Sequence, residues 1–335
     1  MHYIAVGSRS GTDLGLISLL SFNQDSGSLA DYASIAELSH PAYQLWDPKK
    51  RILYTISERE AGVLVGYQLD ERLTATETVR VSTKGGSPCH LSFNRERNLL
   101  GISNYGGGSM LTVDVQTSPP ENRLFAQYSG SGPITSRQEA SHVHSTLFAE
   151  QSDALLAADL GADALYYYRE QMQHCTVIPT PPGAGPRHMV YSSCERYLYV
   201  SAELSNEVLV YAMEEKPRLI QQIATLPPEC SVENTTSHLA LSGDGRFLYI
   251  ANRGHDSLAI FSVNDGWLSR LAHAYTERVP WNFAFSPDEA YIIVANHDSD
   301  SVTVYPRDAK TGMLAPLVSR ISVTRPSCIT FLSDL

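Results

Sequence analysis

The sequence predicts an all-β fold, a seven-bladed β-propeller in which the N- and C-terminal strands share one blade. Three observations carry this: a unit that recurs seven times, short apolar strands separated by polar turns inside each unit, and an incomplete unit at either end of the chain. With the small or Pro residue before the first strand as marker, the copies start at Pro41, Pro88, His142, Pro186, Thr236, Pro280 and Pro326, spaced by 47, 54, 44, 50, 44 and 46 residues. That period suits a four-stranded blade, and helix-period segments are nearly absent.

Taken in order, residues 3–8 and 14–22 are apolar and strand-like, and Arg-Ser-Gly-Thr-Asp between them is a hairpin-type connection. They match the second and third strands of a unit whose first strand is missing. Residues 326–332 match a first strand with nothing after it. Placing that last strand beside the first residues closes the circle and leaves no sheet edge exposed. Residues 1–335 therefore read as one domain.

Each interior unit repeats one plan. A first strand (91–93, 145–148, 189–191, 239–241, 283–285) leads through a turn such as Ser-Gly-Asp-Gly-Arg to a second strand such as Phe-Leu-Tyr-Ile-Ala-Asn, and then to a third such as Ser-Leu-Ala-Ile-Phe-Ser-Val. A fourth is not legible from the pattern. Residues 116–141, rich in Ser, Pro, Gly and Gln, account for the longest gap and read as a long loop over one face.

The bulk properties narrow the function classes. The apolar fraction is 43%, and no stretch approaches the roughly 20 apolar residues of a membrane span. The first residues lack the pattern of a secretory signal, so a cytoplasmic, membrane-free location is expected. Five scattered cysteines without Cys-x-x-Cys spacing argue against a disulfide framework or a zinc site, and no metal or cofactor is expected. A net charge of −11 disfavours nucleic acid as a partner and makes any local arginine cluster more informative. Nothing in the residues speaks to oligomeric state.

Aligning the units puts Tyr43, His90, His144, His188, His238, Asn282 and Cys328 at the third position of the marker, where they would converge on the central axis. The second strands exit through Glu58–Arg59, Asn104–Tyr105, Asp159, Glu203, Asn252–Arg253 and Asn296–His297, and antiparallel pairing brings both sets to one rim. A polar funnel follows. Any single histidine there is more readily explained as a partner for backbone groups or channel water. Arg187, Glu203 and Arg253 have no such packing role. Gly106-Gly107-Gly108-Ser109 opens no helix and reads as a turn rather than a phosphate loop, Asp298-Ser299-Asp300 lacks calcium-loop spacing, and Trp46-Asp47 is unrepeated.

Four stretches, Arg137–Ser145, Gly183–His188, Asn252–Ser257 and Ala295–Asp300, resemble the signature segments of the propeller-type lactonase family. That family includes the cycloisomerase-2-type 6-phosphogluconolactonases and the fungal carboxy-cis,cis-muconate cyclase, and its fold is a seven-bladed propeller. The resemblance covers nearly the whole chain and is weakest over the first blade. It implies His144, Arg187, Glu203 and Arg253 as catalytic positions; the alignment of the units adds His188, His90, His238, Asn104, Asp159, Asn252 and His297 on the same rim as expected substrate-binding positions. Trp281 stands where the family often has arginine.

The expected activity is metal-independent hydrolysis of 6-phosphoglucono-1,5-lactone, a pentose phosphate pathway step, on a small anionic lactone. Arg187 and Arg253 would meet phosphate or oxyanion, and Glu203 or His144 would act as general base on water. The alternatives are a muconate cycloisomerase using the same residues and a non-catalytic binding propeller.

Overall fold

The computed structural model describes residues 1–9 and 15–333. Among these, seven four-stranded antiparallel sheets are arranged as blades. Blades 1 to 6 begin with the inner strands Pro41–Asp47, Pro88–Asn94, Val143–Phe148, Pro186–Tyr191, Thr235–Leu241 and Pro280–Phe285. Blade 7 takes its inner strand from the C-terminal Pro326–Leu332 and its other three from the N-terminal His2–Ser8, Gly15–Asn23 and Ser28–Leu38, so the termini share it as expected. The 10–14 part of the expected hairpin connection lies outside the described residues.

Alternation explains which strands the sequence displays. Second strands are buried on both faces because they pack against both neighbouring blades, as in Ile52–Ser57, where all six residues are buried. Seven apolar clusters lie between successive blades, among them Leu156, Leu165, Leu198, Val200 and Leu209 between blades 3 and 4, and Tyr199, Val210, Leu248, Ile250 and Phe261 between blades 4 and 5. The fourth strands face water on their outer side and read as polar sequence; Ala75–Ser82 and His174–Pro179 are mostly exposed. The stretch 116–141 is therefore not all loop. Glu121–Gln127 is the outer strand of blade 2, and the connection to blade 3 follows it.

The inner and second strands of all seven blades slip register at the top: Pro41 faces Ser57 but Tyr43 faces Ile56, and Pro186 faces Ala202 but Met189 faces Val200. Each slip is a β-bulge that admits one extra residue on the inner strand and re-aims the neighbouring side chains. In blade 3 the slip falls between Val143, which faces Asp159, and Ser145, which faces Ala158. The marker of that unit is therefore Val143. His142 corresponds to Gly185, since their carbonyls accept the equivalent bonds from Leu160 and Glu203.

Gly185 holds φ +62°, donates its N–H to Asp163 Oδ1 (2.8 Å), and would drive a Cβ to 2.6 Å from the Leu204 side chain. Gly185→Ala is expected to lower stability by at least about 1–2 kcal/mol, the cost of a side chain in the left-handed region. Thermal unfolding checks this.

Candidate active site

Correct registration sorts the rim into tiers. The bulge residues are Ala42, Cys89, His144, Arg187, Ser237, Trp281 and Ser327; those one step deeper are Tyr43, His90, Ser145, His188, His238, Asn282 and Cys328. The exit residues of the second strands, equivalent to Glu203, are Arg9, Glu58, Tyr105, Leu160, Glu203, Arg253 and His297; in blade 5 pairing with the inner strand runs one residue further, so that Arg253 faces Thr235. Of the bulge and exit residues, all but Ser237, Leu160 and His297 line a cavity of about 210 Å³ at the channel mouth, joined by Tyr43, His188, Asn282 and Arg137. His144 thus belongs to the mouth with Arg187 rather than to the deeper histidine ring.

Glu203 is the centre of charge. Its Oε2 lies 2.9 Å from Arg187 Nε and 3.0 Å from Arg253 Nη2, and its Oε1 accepts from Arg137 Nη2 at 2.6 Å. Burial by itself would raise the carboxyl. Arg253, Arg187, His144 and Arg137 outweigh it and hold Glu203 well below its ordinary value of 4.5. Arg187, 2% exposed, is lowered by burial and by Arg253 to about 10 and stays charged at neutral pH. The Arg187 and Arg253 Nε–H groups are buried and make no well-aligned hydrogen bond among the described residues, the Arg187 contact with Glu203 Oε2 being an ion pair only.

Trp281 supplies no charge, but its ring lies 4.7 Å from the Arg253 guanidinium carbon, 5.3 Å from that of Arg9 and 5.9 Å from that of Arg187. Its π-face steadies three cations that would otherwise repel one another. Arg9 also pairs with Glu58 at 3.0 Å. His144 sits beside Tyr105 and His188, with ring centroids 5.5 and 5.4 Å away, and its Nδ1 is 3.8 Å from Cys89 Sγ. Burial, and after it Arg187, keeps the His144 imidazole well below 6.5 and therefore neutral.

The other expected binding residues divide. His188 lines the cavity, and its Nδ1 is 3.0 Å from His238 Nδ1. His90 and His238 form the ring beneath, both lowered by burial to about 3, with His90 also packed on Tyr43 (4.4 Å). Asn104, Asp159 and Asn252 do not reach the mouth, which corrects the expectation. They sit one residue before the exit position, and a step of one along a strand turns the side chain to the other face. There Asn104 bonds Thr83 O and Ser109 Oγ, Asp159 accepts from the His142, Gly161 and Ala162 N–H groups, and Asn252 bonds Thr225 and Asn234. These side chains tie loops to the blades. His297 likewise stands aside, paired with Asp298 (2.6 Å) and packed on Trp281 (4.9 Å).

Sequence reasoning assigned no role to Arg9, Tyr43, Glu58, Cys89, Tyr105, Arg137 or Trp281. Glu58, Tyr105 and Tyr43 were already placed on the rim, and extending the exit position to the N-terminal strand adds Arg9. Arg137 comes from the blade 2 to blade 3 connection, where the repeat offers no signal.

Relatives point the same way. The profile described as "Lactonase, 7-bladed beta-propeller" matches residues 3–331. A 6-phosphogluconolactonase of Bacillus subtilis (strain 168) is 33% identical, over 99% of this chain and 98% of its own. The structure of the Pseudomonas aeruginosa periplasmic gluconolactonase superposes with a TM-score of 0.90 at 28% identity, covering 100% of this chain and 99% of that one. A Lactobacillus plantarum protein superposes with a TM-score of 0.91 at 27% identity, covering 99% of both chains. Among the described residues no helix is long and apolar enough to cross a membrane. A seven-bladed propeller matched along nearly its whole length, with a charged mouth built by its bulges, belongs to the seven-bladed β-propeller lactonase family and is a hydrolase of lactone esters.

Proposed function

We propose that the substrate is 6-phosphoglucono-1,5-lactone, hydrolysed to 6-phosphogluconate as in the pentose phosphate pathway. The observation that carries this reading is the charge of the mouth: Arg9, Arg137, Arg187 and Arg253 line it against only Glu58 and Glu203, in a chain of net charge −11. Such an excess of guanidinium is wasted on a neutral sugar and suits a dianion. A cavity of about 210 Å³ is below the roughly 300–1,000 Å³ of drug-sized sites, in keeping with one small sugar.

The bound lactone carbonyl meets guanidinium N–H donors, which stabilise the oxyanion as water attacks. His144 is the base. Glu203, clamped by three cations, is too weakly basic to accept a proton from water. His144 is neutral and lines the cavity, and a phosphate dianion beside Arg187 offsets the cation that depresses it. Glu203 instead positions the arginines.

Side-by-side turnover tests the reading. The phosphorylated lactone is expected to exceed glucono-1,5-lactone in kcat/KM by about 10²-fold or more, consistent with two charge-assisted contacts at about 1.5–3 kcal/mol each. Equal turnover, or faster turnover of a muconolactone, overturns it.

A further inference from the structure

Two carboxylates stand at the exit tier of the propeller, on blades 1 and 4, and their surroundings differ. Glu203 is ion-paired with three guanidinium groups. Among the described residues Glu58 has a single such contact, Arg9 Nη2 at 3.0 Å, and its side chain is 17% exposed at the cavity wall. Its N–H is tied to His40 O (3.0 Å), which fixes the backbone from which the side chain enters the mouth.

We propose that Glu58 is the acid that protonates the ring oxygen as the lactone opens, a role that rests on the lactonase reading above. Water's oxygen bonds to the carbonyl carbon while His144 takes one of its protons, giving a tetrahedral oxyanion held by guanidinium. The oxyanion then re-forms the carbonyl, the bond from carbon to ring oxygen breaks with its electron pair leaving on that oxygen, and the Glu58 proton goes to it. The products are an open-chain carboxylic acid with a free hydroxyl, a Glu58 carboxylate and a protonated His144. The new acid gives up its proton to Glu58, and His144 releases its own to solvent. One water is consumed and no other reactant is needed.

The groups facing Glu58 fit this role. Burial raises its carboxyl above 4.5, against the opposing pull of Arg9 and the more distant Arg187, so the protonated form persists to higher pH than in an ordinary glutamate. Cys89, from the neighbouring blade, and Tyr43 share the wall, and burial pushes both well above their ordinary values, which leaves them poorer proton donors. Two carboxyls driven apart by their environments, one kept ionised and one kept able to donate, divide the labour of one site. The competing route has protonated His144 pass its proton to the leaving oxygen, with Glu58 merely steadying Arg9.

The test compares wild type, Glu58→Gln and Arg9→Met on 6-phosphoglucono-1,5-lactone, following kcat and KM against pH with the spontaneous rate subtracted. Wild-type turnover is read first, since its absence sinks the lactonase reading itself. Glu58→Gln is expected to lower kcat by about 10²-fold or more, leave KM within about threefold, and abolish the alkaline limb of the kcat profile. In Arg9→Met the carboxyl loses its cation, so its protonated form survives further and the alkaline limb moves to higher pH. With active wild type, a Glu58→Gln kcat within about threefold of it, or an alkaline limb that survives in that variant, overturns the proposal in favour of the His144 shuttle. Should Glu58→Gln fail to fold, an unmoved limb in Arg9→Met overturns it equally.

Discussion

Glu203→Ala is expected to cost about 3–5 kcal/mol of stability, because removing one partner of a buried ion cluster leaves the others uncompensated. Arg187 is 2% exposed and Arg253 and Arg137 converge on the same carboxylate, so the variant holds three guanidinium groups with no counter-charge between them. Lactonase activity is expected to fall by about 10³-fold or more as the arginines part, since oxyanion donors act only when held in place. Added inorganic phosphate offers the missing charge and should raise the unfolding temperature of the variant more than that of wild type. Equal shifts would mean that Glu203 does not neutralise the arginines. The wild-type pH dependence has a definite sign. The Glu203 carboxyl lies lower in the folded protein than its ordinary 4.5, so its stabilisation is complete above that value and is lost as pH falls toward the depressed one.

His144→Gln is expected to lower kcat by 10²–10⁴-fold, the usual contribution of a general base, with KM little changed because the guanidinium groups that hold the anion stay in place. The acid limb of wild type is the second readout. His144 works as the neutral imidazole and is held well below 6.5 by burial and Arg187, so the acid limb of kcat/KM should lie well on the acid side of that value. In the substrate complex phosphate offsets Arg187, and the limb in kcat should lie at higher pH than the limb in kcat/KM. If both limbs persist in His144→Gln, the base is another group.

Several features of this site were legible in the residues. Arg187 and Glu203 were found because they open and close one hairpin, and antiparallel pairing returns the end of its second strand to the start of its first. Arg253 follows from the same rule one blade later. Asn104, Asp159 and Asn252 were misplaced for an equally specific reason: they occupy the last position paired with the third strand, while Glu203 and Arg253 stand one residue on. Sequence spacing does not show a one-residue bulge, yet the bulge decides which face a side chain takes. His144 was counted into the histidine ring because His142 resembled a marker, and only pairing shows that Val143 fills that place.

The outer strands were hidden because an edge strand with one wet face carries little apolar alternation, as Glu121–Gln127 illustrates. Period and polarity in the chain by themselves determined seven units, a closing blade built from both ends, and a rim carrying arginine and glutamate. Those are consequences of local pattern repeated. The tertiary structure alone decided that Arg137 reaches in from a connection to complete the clamp on Glu203, that Trp281 steadies cations from blades 4, 5 and 7, and that Glu58 and Glu203 meet different charge. These depend on distances between residues far apart in the chain, which circular closure sets and no local pattern encodes.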